Sequence, residues 1–361
     1  ELLNEENKVI EAYAPKIGFR ETEVKDKAVY VNGKPVKLNG VNSHVHHPVF
    51  GKAMNEETIR KDFELMKQFN INLVRTSHYP PNIEYLELAN EYGLYVVDET
   101  NDECHANIYL SKDPDWKAMY VDRARKMIYR DRNFPCIIFW SAGNEAGSGK
   151  NVKAVMEEGR NIDPSRPDWM YGGNTFFIPF EDIIGPRYWI PYELKKLAEQ
   201  DTSAIIRPSF MDEYLAATGN SMGGLDEYWE LIYQYPRLTG GAIWDWVSPG
   251  ITHPLRILPD LSSNSNNGAI MGRATQVDGK FGNALKLSGH DEWVEFYRDP
   301  SLDITNNQLT IDIWVHPDEF IHSNYFLSKG EHQYGLLQKN KDSLEFYIYS
   351  DQRISAIAPV P

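Results

Sequence analysis

The sequence predicts an α/β chain, a (β/α)8 TIM barrel followed by a smaller all-β module. Three observations carry this. From Leu38 to Ile243 short apolar runs alternate with amphipathic stretches, the rhythm of parallel β/α units. Eight apolar runs can be counted there, the number that closes a barrel. After Pro249 the helical period stops, and strand-like runs separated by Asp, Asn, Gly and Ser clusters take over. That is the pattern of an all-β sandwich or jelly roll. A doubly wound sheet would produce the same alternation as a barrel, so the rhythm alone leaves both open.

In chain order, Val29–Val36 carries Asn32-Gly33 between alternating apolar residues, which predicts a hairpin. The expected strands are Lys37–Asn42, Asn72–Thr76, Tyr95–Asp98, Ile137–Ser141, Asp168–Tyr171, Asp182–Ile184, Ser209–Asp212 and Ala242–Trp246. Helices are expected between them. Glu56–Gln68 sets Ile59, Phe63 and Met66, with Phe69 beyond, at helical spacing. The others are Ile83–Tyr92, Trp116–Tyr129, Val152–Ile162, Tyr192–Glu199 and Asp226–Tyr235. Asp163-Pro164 and Pro236 stop two of them. In the C-terminal part, strands are expected at Leu285–Leu287, Trp293–Tyr297, Leu309–Val315, Tyr325–Leu327 and Leu344–Tyr349. Five or six strands are fewer than a sandwich usually needs, so this module reads as incomplete.

Composition narrows the function. The 361 residues include 37 Lys and Arg against 52 Asp and Glu, a net charge of −15. So acidic a chain is ill suited to a phosphate backbone, and no nucleic-acid partner is expected. No apolar run approaches the ~18 residues of a membrane span. The residues given open with no charged and then apolar leader, so no targeting segment is read. Two cysteines, Cys104 and Cys136, exclude a disulfide framework and zinc-type spacing; whether they pair is open. The 9 Trp, 21 Tyr and 15 Phe suit a large core, the reading composition alone favours, or a sugar-binding cleft.

Two segments carry chemistry. Ile137–Ser141 runs on through Ala142 and Gly143 to Asn144-Glu145. Ser209–Asp212 leads directly into Glu213. An Asn-Glu pair after a strand is equally the pattern of a helix cap or a solvated turn. By count, however, these are the fourth and seventh strands, and strand C-terminal ends form the catalytic face of a barrel. Glycoside hydrolysis needs two such carboxyls. One is neutral and protonates the leaving oxygen; the other is ionised and attacks or stabilises the sugar cation. Repulsion and partial burial push their two pKa values apart.

Several long motifs, in order, extend this reading. They are Asn32-Gly33-Lys34, Gly40-Val41-Asn42-Ser43-His44-Val45-His46-His47-Pro48 and Val74-Arg75-Thr76-Ser77-His78-Tyr79-Pro80. Further on come Gly93-Leu94-Tyr95-Val96-Val97-Asp98-Glu99, Asp163-Pro164-Ser165-Arg166-Pro167 and Tyr235–Trp246. With these motifs the chain resembles the β-galactosidase branch of glycoside hydrolase family 2, over roughly two thirds of its length. The resemblance implies a barrel, and a retaining hydrolase of terminal β-galactosides; a departure at Ala216 adds galactose modified at C6. It implies Glu145 as general acid/base and Glu213 as nucleophile. Asn144 would bond the sugar 2-hydroxyl, and Tyr188 the nucleophile. His44 and His78 would line the cleft, and Trp244 would underlie the sugar. Glu103-Cys104-His105 matches the Glu-x-His that, with the acid/base Glu, holds Mg²⁺; Glu103, His105 and Glu145 are therefore the expected metal ligands. Carboxylates with one imidazole suit Mg²⁺, which keeps several waters. One departure stands out: Ala216 replaces a histidine that reaches the 6-hydroxyl side of the sugar.

The C-terminal part resembles laminin-G-like, concanavalin-A-like domains through Val277–Leu285 and Leu309–Val315. The expected division is residues 1–20 as the tail of an immunoglobulin-like sandwich, 21–250 as the barrel and 251–361 as the lectin-like module. Such a module would favour a periplasmic or secreted location. The expected partner is a carbohydrate substrate, with homo-oligomerisation left open. Two alternatives remain: a β-glucuronidase or β-mannosidase of the same family, and a carbohydrate-binding protein without turnover. Gly219-Asn220-Ser221 and the Arg237–Trp246 string favour the galactosidase, and the presence of both Glu residues opposes the non-catalytic reading.

Overall fold

The computed structural model describes residues 1–14, 16–166, 168–173, 178–200, 207–218, 223–252, 254–297, 299–304, 308–319, 323–330 and 332–360. Gly219-Asn220-Ser221 and Pro167 lie outside the described residues. The chain divides into two compact units, Glu1–His253 and Pro254–Pro361.

In the first unit seven parallel strands form one sheet: β1 (Leu38–Ser43), β2 (Leu73–Thr76), β3 (Tyr95–Glu99), β4 (Ile137–Asn144), β5 (Trp169–Gly172), β6 (Ser209–Tyr214) and β7 (Leu238–Ile243). Their order is β5-β4-β3-β2-β1-β7-β6. The gap between β5 and β6 is spanned by residues 182–184. Asp182 N–H donates to Trp169 O at 2.9 Å, Ile184 N–H to Pro208 O at 2.9 Å, and Phe210 N–H to Ile184 O at 2.9 Å. The expected strand Asp182–Ile184 thus takes the eighth position as a short extended segment, and the sheet is nearly closed.

One expected strand is misplaced. The apolar residues point to Ala242–Trp246, but β7 begins at Leu238 and ends at Ile243. The pairing passes through Gly240 and Gly241, which stand beside Leu38 and Asn39 of β1. A Cβ on Gly240 would lie 2.0 Å from Leu38 O, and one on Gly241 2.9 Å from Met211 Cβ on β6. Glycine reads as a turn in sequence; here it lets neighbouring backbones close up.

Helices α1 (Glu56–Gln68), α2 (Ile83–Tyr92), α3 (Lys117–Asp131), α4 (Lys150–Ile162), α5 (Pro191–Glu199) and α6 (Leu225–Gln234) connect the strands. Asn55 Oδ1 caps α1 by accepting from Thr58 N–H, which satisfies an otherwise unpaired first-turn donor. Ile59, Phe63 and Met66 face inward, as their spacing predicts. Phe69 does not: it caps the helix and is 68% exposed. Gly93 ends α2 in the left-handed conformation at φ 66°, where glycine carries no steric cost.

The N-terminal end of the barrel is filled with aliphatic side chains. Leu38, Leu73, Val97, Ile138, Met170, Ile183 and Phe210 form one buried cluster. Ahead of β1, Thr22–Lys25, Ala28–Val31 and Lys34–Pro35 make an antiparallel sheet that turns at Asn32-Gly33, both at positive φ. Its Val29 and Val31 join the cluster, so the hairpin stoppers the barrel from below. Each such buried side chain contributes roughly 1.5–3 kcal/mol.

The second unit is antiparallel. Arg256–Leu258, Gly268–Met271 and Trp293–Phe296 form one sheet, and Thr275–Asp278 pairs with Asn283–Lys286. Asn324–Lys329, Tyr334–Asn340, Ser343–Tyr349 and Arg353–Pro359 form a meander. The expected strand Leu309–Val315 is not one: no strand pairs with it among the described residues, and Trp314 is 67% exposed. Its apolar alternation fits a sheet face, but a strand needs a hydrogen-bonding neighbour. Among the described residues no helix is long and apolar enough to cross a membrane.

Candidate active site

The strands deliver polar residues to their C-terminal ends, opposite the aliphatic stopper. β4 ends at Asn144, and Glu145 follows at φ 42° with its N–H on Gly172 O at 2.7 Å. This turn needs Gly143, at φ 128°, where a Cβ would come within 2.4 Å of Asp102 O. β6 carries Asp212 and Glu213. The Glu213 side chain is 6% exposed and that of Glu145 14%.

Two guanidiniums organise the centre. Arg75, on β2, is fully buried. Its Nε donates to Glu99 Oε2 at 2.9 Å, and its Nη2 to Asn144 Oδ1 at 2.8 Å. Its Nη1 donates to Asn42 Oδ1 at 2.8 Å and to Glu213 Oε1 at 3.1 Å. Arg187, in the loop between residues 182–184 and α5, reaches Asp212, Asn144, Glu145 and Glu213. So the two expected catalytic carboxylates meet at one side chain.

The remaining expected residues gather round this centre. Tyr188, at φ 54°, donates its hydroxyl to Glu213 Oε2 at 2.8 Å and its N–H to Glu213 O at 3.0 Å. His78 Nδ1 bonds Glu99 Oε1 at 2.8 Å, while its Nε2 lies 3.8 Å from Glu213 Oε1. The His78 ring stacks on Trp244, centroids 5.2 Å apart and planes at 4°; His44 meets Trp244 edge-on at 5.4 Å. Asn144 is engaged at both ends of its amide: Oδ1 takes the two arginines, and Nδ2 donates to Glu103 Oε1 at 3.1 Å. One Nδ2 hydrogen has no partner among these residues.

His105 stands between Glu103 and Glu145. Its Nε2 is 2.9 Å from Glu103 Oε1, and its Nδ1 touches Glu145 Oε2. The three expected metal ligands therefore converge. In this arrangement they bond to one another, and among the described residues no three His, Cys, Asp or Glu side chains surround a common point as a metal shell would.

Electrostatics follow from burial and pairing. Burial pushes the Glu99 carboxyl up, but Arg75 and His78 outweigh it and hold the pKa at about 2. Burial lowers His44 to about 4, helped by its neighbours His78 and Lys52. Asp212 is raised by burial against the pull of Arg187 and Arg75. Burial and the Glu213 carboxylate both keep the Tyr188 hydroxyl protonated.

Sequence reading missed Arg75, Glu99, Asp212 and Arg187 as site residues. The available signal was charge inside an apolar strand, as in Leu73-Val74-Arg75 and Phe210-Met211-Asp212. A buried charge requires a buried partner. Arg187 lies in an irregular loop and gave no such signal.

Comparison with known proteins agrees with the barrel. Residues 22–267 match the family described as Glycosyl hydrolases family 2, TIM barrel domain. The chain is 42% identical over 265 residues to a beta-galactosidase of Vibrio vulnificus, covering 70% of this chain and 25% of that protein. It is also 42% identical over 268 residues to a beta-galactosidase of Photobacterium profundum, with the same coverage. It thus spans about a quarter of the length of these relatives. Among solved structures, the β-glucuronidases of Dictyoglomus thermophilum and Ruminococcus gnavus share the fold. Their TM-scores are 0.58 and 0.59, at 24% and 21% identity, covering 67% and 70% of this chain and 49% and 51% of theirs.

Proposed function

This chain belongs to glycosyl hydrolase family 2, and from that premise we propose that it is the catalytic barrel of a retaining β-galactosidase. The observation that carries the reading is that Glu145 and Glu213, at the C-terminal ends of facing strands, reach the same guanidinium. Carboxyls about 5–5.5 Å apart allow direct attack with no interposed water.

Glu145 protonates the glycosidic oxygen as Glu213 attacks the anomeric carbon; the bond to the leaving group breaks and a glycosyl ester forms on Glu213. Glu145 then takes a proton from water, which attacks the same carbon and releases the sugar with retained configuration. Tyr188 and Arg75, bonded to opposite oxygens of Glu213, hold the nucleophile oriented. Trp244 supplies an apolar face for the sugar, with His44 and His78 beside it.

Glu103, His105 and Glu145 would hold Mg²⁺, a donor set of oxygens and one imidazole that suits this cation. Bound there, it would supply positive charge beside the acid/base. Ala216 is next to Ala217, whose N–H donates to Trp244 O at 2.6 Å, which supports reading it as close to the sugar. In place of a polar ring it leaves space at C6 for an O-methyl group, whose burial contributes on the order of 0.8 kcal/mol. We read the second unit as part of a laminin-G-like, concanavalin-A-like sandwich, the barrel as 21–250, and residues 1–20 as the tail of an immunoglobulin-like domain.

The test is turnover of aryl β-galactosides by this chain and by a longer chain carrying its flanking domains. Activity should vanish in Glu213→Ala and return with azide in Glu145→Ala; EDTA should lower it. A 6-O-methyl-β-galactoside, competed in one tube, should match the unmodified sugar in kcat/KM. A preference of about tenfold for plain galactose, about 1.4 kcal/mol, would reject the open C6 pocket. Turnover of β-glucuronides or β-mannosides in its place would reassign the sugar.

A further inference from the structure

Resting on the reading of Glu145 and Glu213 as acid/base and nucleophile, we propose that Arg187 is a positioning residue. Its guanidinium fixes Glu145 against the nucleophile's strand. Nε donates to Asp212 Oδ2 at 3.0 Å, and Nη2 meets the same oxygen. Nη2 also donates to Asn144 Oδ1 at 2.5 Å and stands 3.1 Å from Glu213 Oε1. Nη1 donates to Glu145 Oε1. The fork is therefore anchored on Asp212, one residue before Glu213, and its tip holds Glu145.

Geometry makes this arrangement specific to arginine. The guanidinium is planar, with donors at fixed angles, so bonding two carboxylates sets both their distance and their orientation. A lysine ammonium is a point charge and could satisfy only part of the pattern. The side chain is 2% exposed. Nε, Nη2 and one N–H of Nη1 are committed to protein groups, so its role is exerted through Glu145.

The two carboxylates depend on it unequally. Glu213 is also held by Arg75 at 3.1 Å and by the Tyr188 hydroxyl at 2.8 Å. Glu145 projects from a left-handed residue, and its other side-chain partner, His105, is 59% exposed. Removing Arg187 thus frees the acid/base and leaves the nucleophile in place. The defect should fall on steps that need a proton delivered.

Leaving-group dependence tests this. This chain and its Arg187→Gln and Arg187→Lys variants are assayed on a 2,4-dinitrophenyl β-galactoside, whose departure needs no acid, and on a methyl β-galactoside, whose departure does. In Arg187→Gln, kcat/KM on the methyl glycoside should fall about 100-fold. On the dinitrophenyl glycoside it should stay within about threefold. Arg187→Lys should lie between, and millimolar guanidinium should partly restore Arg187→Ala. Equal losses on both substrates, or none on either, would overturn the proposal. If Arg187→Gln fails to fold by circular dichroism, the same ratio in Arg187→Lys decides. Wild-type chain with no Glu213-dependent turnover of either substrate would overturn the underlying reading and the proposal with it. Wild-type turnover with an unchanged Arg187→Gln would remove only the role of Arg187.

Discussion

The two ends of the barrel are built from the same strands with opposite chemistry. At the N-terminal end Leu38, Leu73, Ile138 and Phe210 pack with Val29 and Val31 of the hairpin. Toward the C-terminal end of the strands Asn42, Glu99, Asn144 and Glu213 all accept from Arg75. The lower end stabilises without directional demands. The upper end confines several charges where water cannot screen them, and each depends on its partner. Stability and chemistry are therefore separable along a single strand: Leu73 belongs to the first and Arg75, two residues on, to the second.

The largest expected effect lies at the upper end. Glu99→Ala removes the buried carboxylate that pairs with Arg75 Nε and His78 Nδ1 and should cost about 3–5 kcal/mol in urea denaturation. In the unmodified chain the same contribution has a pH signature. Because the folded carboxyl is held at about 2 against an ordinary 4.5, its stabilisation is complete above 4.5 and is lost as pH falls through about 2. A Glu99→Ala variant as stable as the parent at pH 7 would break the contrast between the two ends.

Leu73→Ala, at the lower end, should cost about 2–5 kcal/mol and leave KM and the pH profile of the folded enzyme unchanged. A change in KM would mean that the stopper is coupled to the cleft.

The smallest effect concerns Glu181, which directly precedes residues 182–184 and pairs with Arg207. Burial raises its carboxyl to about 8, with Arg207 opposing. A raised acid binds a proton in the folded state that it loses on unfolding, so its contribution falls as pH rises from about 4.5 to about 8. Glu181→Gln should then stabilise by about 1–3 kcal/mol at pH 8 and by nothing near pH 4.5. The reverse order of pH dependence would refute the assignment.

The barrel was legible because its strands are apolar runs and its helices carry apolar stripes, both local signals. β7 was displaced toward Trp246 because Gly240 and Gly241 pair through backbone alone and leave no apolar mark. Leu309–Val315 alternates like a strand, yet alternation does not supply the neighbour that a strand requires. Within the site, Glu145, Glu213 and Tyr188, named from motifs, are linked through Arg187 and hydrogen bonds, and His44, His78 and Trp244 pack ring against ring. Arg187 was not legible, since its partners are 25 to 43 residues away along the chain and nothing local specifies them.

The central claim is that Glu213 is the nucleophile of a double displacement. Peptide mass mapping of the chain after incubation with a 2-deoxy-2-fluoro-β-galactosyl fluoride tests it most directly, because the fluorine slows release of the glycosyl ester. The account predicts a single fluorosugar adduct on the peptide containing Glu213, absent in Glu213→Ala. An adduct on Glu145 or another carboxylate, or turnover of the reagent without any adduct and with inverted product, would contradict it.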